Sequence, residues 1–263
     1  MQIGTGRPVT LAPRGMVTSP HALASAAGVD VLRAGGSAVD AAIATSAVLA
    51  VVYPHMTGLG GDAFWLIHDG RSGAVRFLNG GGKAAGSASL AALRDRGVSE
   101  IPLRGIIPAT LTVPGAVASW TEAHRAHGRL PLAKVFENAM SYARDGFPVT
   151  ARLANFIALM RGELAQQAEA AVLFLPGGAI PAPGAKLANP DLAGTLQAIA
   201  DSGWTGFYRG AVAGELARFS CETGGFFRGV DPEQQTASGA RHSSAATGMS
   251  RSTTPRRRPR ASR

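Results

Sequence analysis

The chain has 263 residues, of which 46% are apolar and 16% charged, a globular composition with enough apolar material for a sizeable core and not that of a disordered chain. Seven of its 26 Lys and Arg residues lie between positions 237 and 263, where no acid occurs, leaving 19 bases against 17 acids before that point; the net charge of +9 and the pI near 10.9 therefore describe a tail, which argues against a domain with a basic face. Cys221 is the only cysteine, which excludes an intrachain disulfide and a cysteine-held zinc site.

The opening "MQIGTGRPVTLAPRG" has no apolar h-region, so no signal peptide is expected and the default location is cytoplasmic. "TSPHALASAAGVDVLRAGG" predicts a helix with Ser19 as N-cap, Pro20 at its first position and Gly35 with Gly36 as its stop. Ser37 and Asp40 form a capping-box pattern ahead of the apolar stretch 38–53. That stretch is shorter than a bilayer span, so it predicts a buried central helix and no membrane span. In "HMTGLGGDAFWL" (55–66) the glycines follow a helix and precede a strand, the reverse of a phosphate loop, and no Lys-Ser/Thr pair follows. Gly58, Gly60 and Gly61 are expected to serve a helix-to-strand corner through positive φ and close backbone approach. Strands are predicted at 63–69 and 74–79 around a turn at Arg71, Ser72 and Gly73. Helical patterns recur at 114–128, 130–146, 150–172, 190–203 and 210–225, each bounded by Gly or Pro; no repeat of fixed period is seen.

Other chemistry-bearing residues have plain readings. His124 and His127 with Glu122 lack a third ligand at zinc spacing and read as surface helix residues. Asp40, Asp62 and His55 are placed for a cleft, but Asp40 is first a cap and Asp62 a turn residue. Cys221 reads as a buried small hydrophobe, and Trp65, Trp120 and Trp204 as core.

In order along the chain, "GRPVTLAPRGMVTSPHALASAAGVDVLRAGGSAVDAAIA", "PHMTGLGGDAFWL", "VPGAVASW", "HGRLPLAKVFENAMSYARDGFPV", "NPDLAGTLQAIADSGWTGFYRGAVAGELA" and "TGGFFRGVD" resemble the gamma-glutamyltranspeptidase family. "GGSAVDAAIA" and "GLGGDAF" are the most specific parts, and the likeness covers roughly positions 5–231. The resemblance implies an αββα N-terminal-nucleophile hydrolase, made as a precursor that cuts itself. The nucleophilic threonine heads a C-terminal small subunit, and γ-glutamyl groups such as that of glutathione are transferred or hydrolysed without metal or organic cofactor. Residues 1–236 correspond to the large subunit and supply no nucleophile, so this chain alone is expected to be inactive. Members of the family are often exported.

Two departures qualify that picture. The family's Arg-Glu pair for the substrate α-carboxylate falls on Gly81 and Gly82 of "FLNGGGKAAGSAS", so no guanidinium fork is present there. Asn79, Gly81 and Lys83 are the candidate substrate-binding positions, with Lys83 as a substitute point charge. From about Ala237 the family-like sequence gives way to a Ser/Thr/Arg/Pro-rich tail (237–263), expected to be disordered and to be an out-of-frame product. A shifted frame can spell "WGAPLVGGYRDVTIYNTPPPTQGFT", which resembles the family's continuation. Three alternatives stand beside a γ-glutamyl enzyme: a non-catalytic interaction subunit or remnant, an amide hydrolase of the same superfamily with a non-glutamyl acyl group, and, last, nucleic-acid binding by the arginine tail.

Overall fold

A computed structural model describes residues 10–101, 111–229 and 231–241. Helix α1 (Ala22–Arg33) begins one residue after His21, whose Nδ1 accepts the Leu23 N–H at 3.3 Å. The expected cap Ser19 instead gives its hydroxyl to the His21 carbonyl at 2.9 Å, because the chain bends at Pro20 and His21 before the helix begins. Gly35, at φ 89°, stops it. Helix α2 (Ala38–Val52) carries the predicted capping box: Asp40 N–H donates to Ser37 Oγ at 3.0 Å and Ser37 N–H to Asp40 Oδ2 at 2.8 Å. Eleven of its fifteen residues are buried, as an all-round apolar helix requires.

Strands β1 (Ala63–His68) and β2 (Val75–Gly80) pair antiparallel, with Ala63 opposite Gly80 and His68 opposite Val75. Between them Asp69 Oδ1 accepts the N–H groups of Arg71 and Ser72, at 2.8 and 3.3 Å, and Gly73 turns at φ 69°. After the short α3 (Leu90–Asp95), α4 (Ala116–His127) packs on one face of this hairpin, and α5 (Leu132–Asp145) ends at Gly146, φ 88°. A two-residue strand β3 (Phe147–Pro148) pairs with β4 (Lys186–Leu187). The single helix expected over 150–172 is three pieces, α6 (Ala151–Leu159), α7 (Arg161–Ala165) and α8 (Ala168–Phe174). The breaks fall at Met160 and Gln166–Gln167, where backbone bonds shorten to i→i−3 for Gln166 and Gln167.

Helix α9 (Pro190–Ser202) has Asn189 as cap and Pro190 at its first position; α10 (Trp204–Tyr208) and α11 (Gly210–Glu222) follow. The core is one cluster around α2, which lies against α1, α4 and α5, while α9 covers α5. Cys221 is exposed on the last turn of α11, not buried, because that helix buries only Ala213 and Ser220.

Strand β5 (Ser238–Arg241) pairs antiparallel with β2, making the sheet order β1-β2-β5. Disorder from residue 237 therefore does not hold for 238–241: the free edge of β2 offers backbone donors and acceptors that any backbone can meet, whatever its side chains. The remaining tail, 242–263, and the segment 102–110 lie outside the described residues.

Candidate active site at the glycine loop

Among the described residues the sheet has one covered face and one bare face. Trp65, Ile67 and Leu78 look toward α4, where Trp65 Nε1–H donates to Ser119 Oγ at 2.9 Å. On the other side Phe64 is 64% and Leu66 76% exposed, and Val75 is exposed beside them.

Where β2 leaves the sheet, residues 79–83 form a loop held from three directions. Asn79 Oδ1 accepts the Gly81 N–H at 2.8 Å, and Asp62 Oδ1, from the turn before β1, accepts the Gly82 N–H at 2.7 Å. The Lys83 carbonyl accepts the Val113 N–H at 2.8 Å. From the far end of the chain, Gln235 Oε1 accepts the Lys83 N–H at 3.2 Å and Gln235 Nε2–H donates to the Gly81 carbonyl at 3.1 Å. The exposed Lys83 ammonium donates to the Gln234 carbonyl at 3.0 Å.

The lacing continues past the loop. Gly86 N–H donates to Asp231 Oδ1 at 2.9 Å, Ser87 Oγ–H to the Phe226 carbonyl, and Ala85, Val113, Phe226 and Phe227 form a small core of their own.

Asn79, Gly81 and Lys83 are thus brought together, while the loop's most constrained member is Gly82. A Cβ there would sit 2.0 Å from the Val113 carbonyl oxygen, so the position admits no side chain in this conformation. At Gly81 the nearest atom would be the side-chain Oδ1 of Asn79 at 3.0 Å, a tight fit that a small shift of that side chain relieves. An Arg-Glu pair in this register would require the loop to move.

The glycines of "GLGGD" behave differently from expectation. None of Gly58, Gly60 and Gly61 has positive φ, and a Cβ on Gly58 or Gly60 would meet nothing within 4 Å. The close backbone approach lies instead at Gly115, where a Cβ would be 2.2 Å from the Gly80 carbonyl oxygen. Gly61 acts through its carbonyl, which accepts the N–H groups of Gly115 and Ala116 at 3.0 and 2.9 Å. The Ala118 N–H is taken by Tyr208 Oη at 3.0 Å, and Tyr208 donates to the Pro114 carbonyl at 2.6 Å. Burial pushes the Tyr208 phenol well above its ordinary range, so it stays a neutral donor. With these N–H groups occupied, the start of α4 is pinned to the glycine turn and is not an anion cradle.

The remaining candidates are structural. His124 Nε2 lies 2.8 Å from the Leu130 carbonyl, and Glu122 is held by Arg125, which keeps its carboxyl below the usual range. Asp40 is fully buried and Asp62 serves the loop. His55 stacks between Tyr53 and Phe156, ring centroids 4.1 and 4.5 Å away, with both ring nitrogens out of solvent and without partners among the described residues. Trp120 is core, whereas Trp204 donates its Nε1–H to the Gln235 carbonyl at 2.9 Å. Gln235 and Trp204 carry the site from afar, and no local pattern marks Gln235.

Helices over one face of a sheet, with the other face open beside a laced loop, form half of an αββα N-terminal-nucleophile hydrolase sandwich. The sequence profile described as gamma-glutamyltranspeptidase matches residues 24–247, and the chain belongs to that family. It is 46% identical over 200 residues, 75% of its length, to the glutathione hydrolase-like YwrD proenzyme of Bacillus subtilis (strain 168). It is 44% identical over 209 residues, 78% of its length, to the oxamate amidohydrolase proenzyme of Klebsiella pneumoniae subsp. pneumoniae. It spans 37% and 39% of those two relatives, under two fifths of their length. Among solved structures, Helicobacter pylori gamma-glutamyltranspeptidase superposes with a TM-score of 0.83 at 28% identity, covering 88% of this chain and 67% of that one. Among the described residues no helix is long and apolar enough to cross a membrane.

Proposed function

We propose that the chain is the large-subunit part of an enzyme that hydrolyses or transfers γ-glutamyl groups of small amides such as glutathione. A small subunit from the same precursor supplies the threonine nucleophile. The observation that carries this reading is the bare apolar sheet face of Phe64, Leu66 and Val75, which adjoins the 79–83 loop. An apolar face of this kind is a docking surface for the second layer of the sandwich, and a nucleophile carried by that layer would arrive beside Lys83. This chain's contribution is binding: Lys83 offers a point charge to a substrate carboxylate, and the Asn79–Gly82 backbone shapes the floor. The family profile runs on to residue 247, so the family domain is extended past residue 236 to take in β5, and only the residues after 247 are read as an out-of-frame product with no nucleic-acid role.

A second reading is favoured by Gly82, which has no room for a side chain, and by the lack of an arginine among residues 79–83. An acyl group without an amino-acid head needs no guanidinium fork, and one relative is named for oxamate. Expression of a reading frame that joins residues 1–236 to a family small subunit decides between the two. Self-cleavage followed by turnover of γ-glutamyl-p-nitroanilide supports the first reading. Turnover of oxamate alone supports the second, and neither cleavage nor turnover removes both.

A further inference from the structure

We propose that Gln235 is a positioning residue for the substrate loop, which fixes where Lys83 presents its charge; the inference rests on the reading of residues 79–83 as a carboxylate-binding loop. Gln235 is 1% exposed and spends both ends of its amide on that loop, accepting from Lys83 N–H and donating to the Gly81 carbonyl across more than 150 residues of chain. Its own carbonyl is held by Trp204 Nε1–H, and Trp204 stacks on Tyr208 with ring centroids 5.2 Å apart. Tyr208 in turn grips Pro114 and Ala118 at the start of α4. The immediately preceding carbonyl, that of Gln234, receives the Lys83 ammonium.

One corner, Gln234–Gln235, therefore sets both the backbone and the charged end of Lys83. The corner is anchored to the aromatic pair of α10, outside the loop. A buried amide so engaged is costly to leave half-paired, which keeps the loop in a single conformation. Loss of the Gln235 amide should free Lys83 without opening the core around α2, because none of residues 79–83 belongs to that core.

The test uses the full chain and the variant Gln235→Met, which keeps length and apolar volume and loses both hydrogen bonds. Acetic anhydride labelling is followed at Lys83, with Lys134 and Lys186 as controls in the same molecule. The expected result is labelling of Lys83, and tryptic cleavage after it, about tenfold faster in Gln235→Met, with the two controls unchanged and the melting temperature lowered by only a few degrees. L-Glutamate at millimolar concentration should slow Lys83 labelling in the unaltered chain and not in the variant. Equal Lys83 rates in both chains overturn the proposal. If Lys83 is freed by the variant but glutamate never protects it, the positioning role stands and the carboxylate reading falls. If Gln235→Met does not fold, hydrogen exchange of the Lys83 amide in the unaltered chain decides: protection of about tenfold or more over the intrinsic rate supports the latch, and exchange at the intrinsic rate overturns it.

Discussion

Asp40 Oδ2 accepts the Arg129 N–H at 2.9 Å across 89 residues of sequence, while also taking the Ser37 N–H at 2.8 Å and the Leu130 N–H at 3.3 Å. The residue that caps α2 is thus also the tie between that helix and the loop after α4. Its side chain is fully buried, with His124 Nε2 3.8 Å from the other oxygen. Removing it strands three partly buried N–H groups, so Asp40→Ala should cost about 2–3 kcal/mol. Asp40→Asn, which keeps one acceptor oxygen, should cost clearly less. Urea unfolding of the two variants checks this; equal and small losses would show that the tie contributes little.

Glycine substitutions separate the two clusters. Gly82→Ala and Gly115→Ala drive a Cβ to 2.0 and 2.2 Å from carbonyl oxygens and should destabilise by about 1–3 kcal/mol. Gly58→Ala and Gly60→Ala meet open space at ordinary φ. They should be neutral or stabilise the chain by up to about 1 kcal/mol. The reverse ranking in denaturant midpoints contradicts the assigned close contacts.

The pH dependence has a definite sign. Burial, then the charges of Arg152 and His21, hold the His55 pKa below its ordinary 6.5, and burial does the same for His21. Both groups bind protons more readily in the unfolded chain. Their contribution is whole above about pH 6.5 and is lost as pH falls through that value. His55→Phe, which keeps the ring between Tyr53 and Phe156, should flatten the fall in melting temperature between about pH 7 and 5. An unchanged slope removes His55 from the account.

The bare sheet face predicts tolerance in this chain and intolerance in an assembly. Leu66→Lys, at a side chain 76% exposed, should shift the stability of residues 1–263 by no more than about 0.5 kcal/mol. It should also block pairing with a small subunit. Co-purification of the altered chain with such a subunit at undiminished yield would exclude this face as the interface.

Much of the frame was legible because it is local. The Ser37–Asp40 box, the helix over 190–203 and the hairpin of strands 63–69 and 74–79 each rest on residues within a few positions of one another. The three-way break of 150–172 was not, since no glycine or proline stands at Met160 or Gln166. The "GLGGD" glycines misled because glycine content signals conformational freedom whether or not it is used. The site was half legible: Asn79, Gly81 and Lys83 share one loop, but the residues that shape it, Asp62, Val113 and Gln235, reach it through tertiary contacts with no sequence period.

The role proposed for this chain is to bind and shape without cleaving. Release of p-nitroaniline from γ-glutamyl-p-nitroanilide measures it directly, because covalent acyl transfer needs a nucleophile and oxyanion donors that binding groups do not replace. Purified residues 1–263 should give no release above the buffer rate, and the same chain continued in frame into a family small subunit should cleave itself and turn over. Active-site-titratable turnover by residues 1–263 alone would contradict the account and place the chemistry within this chain.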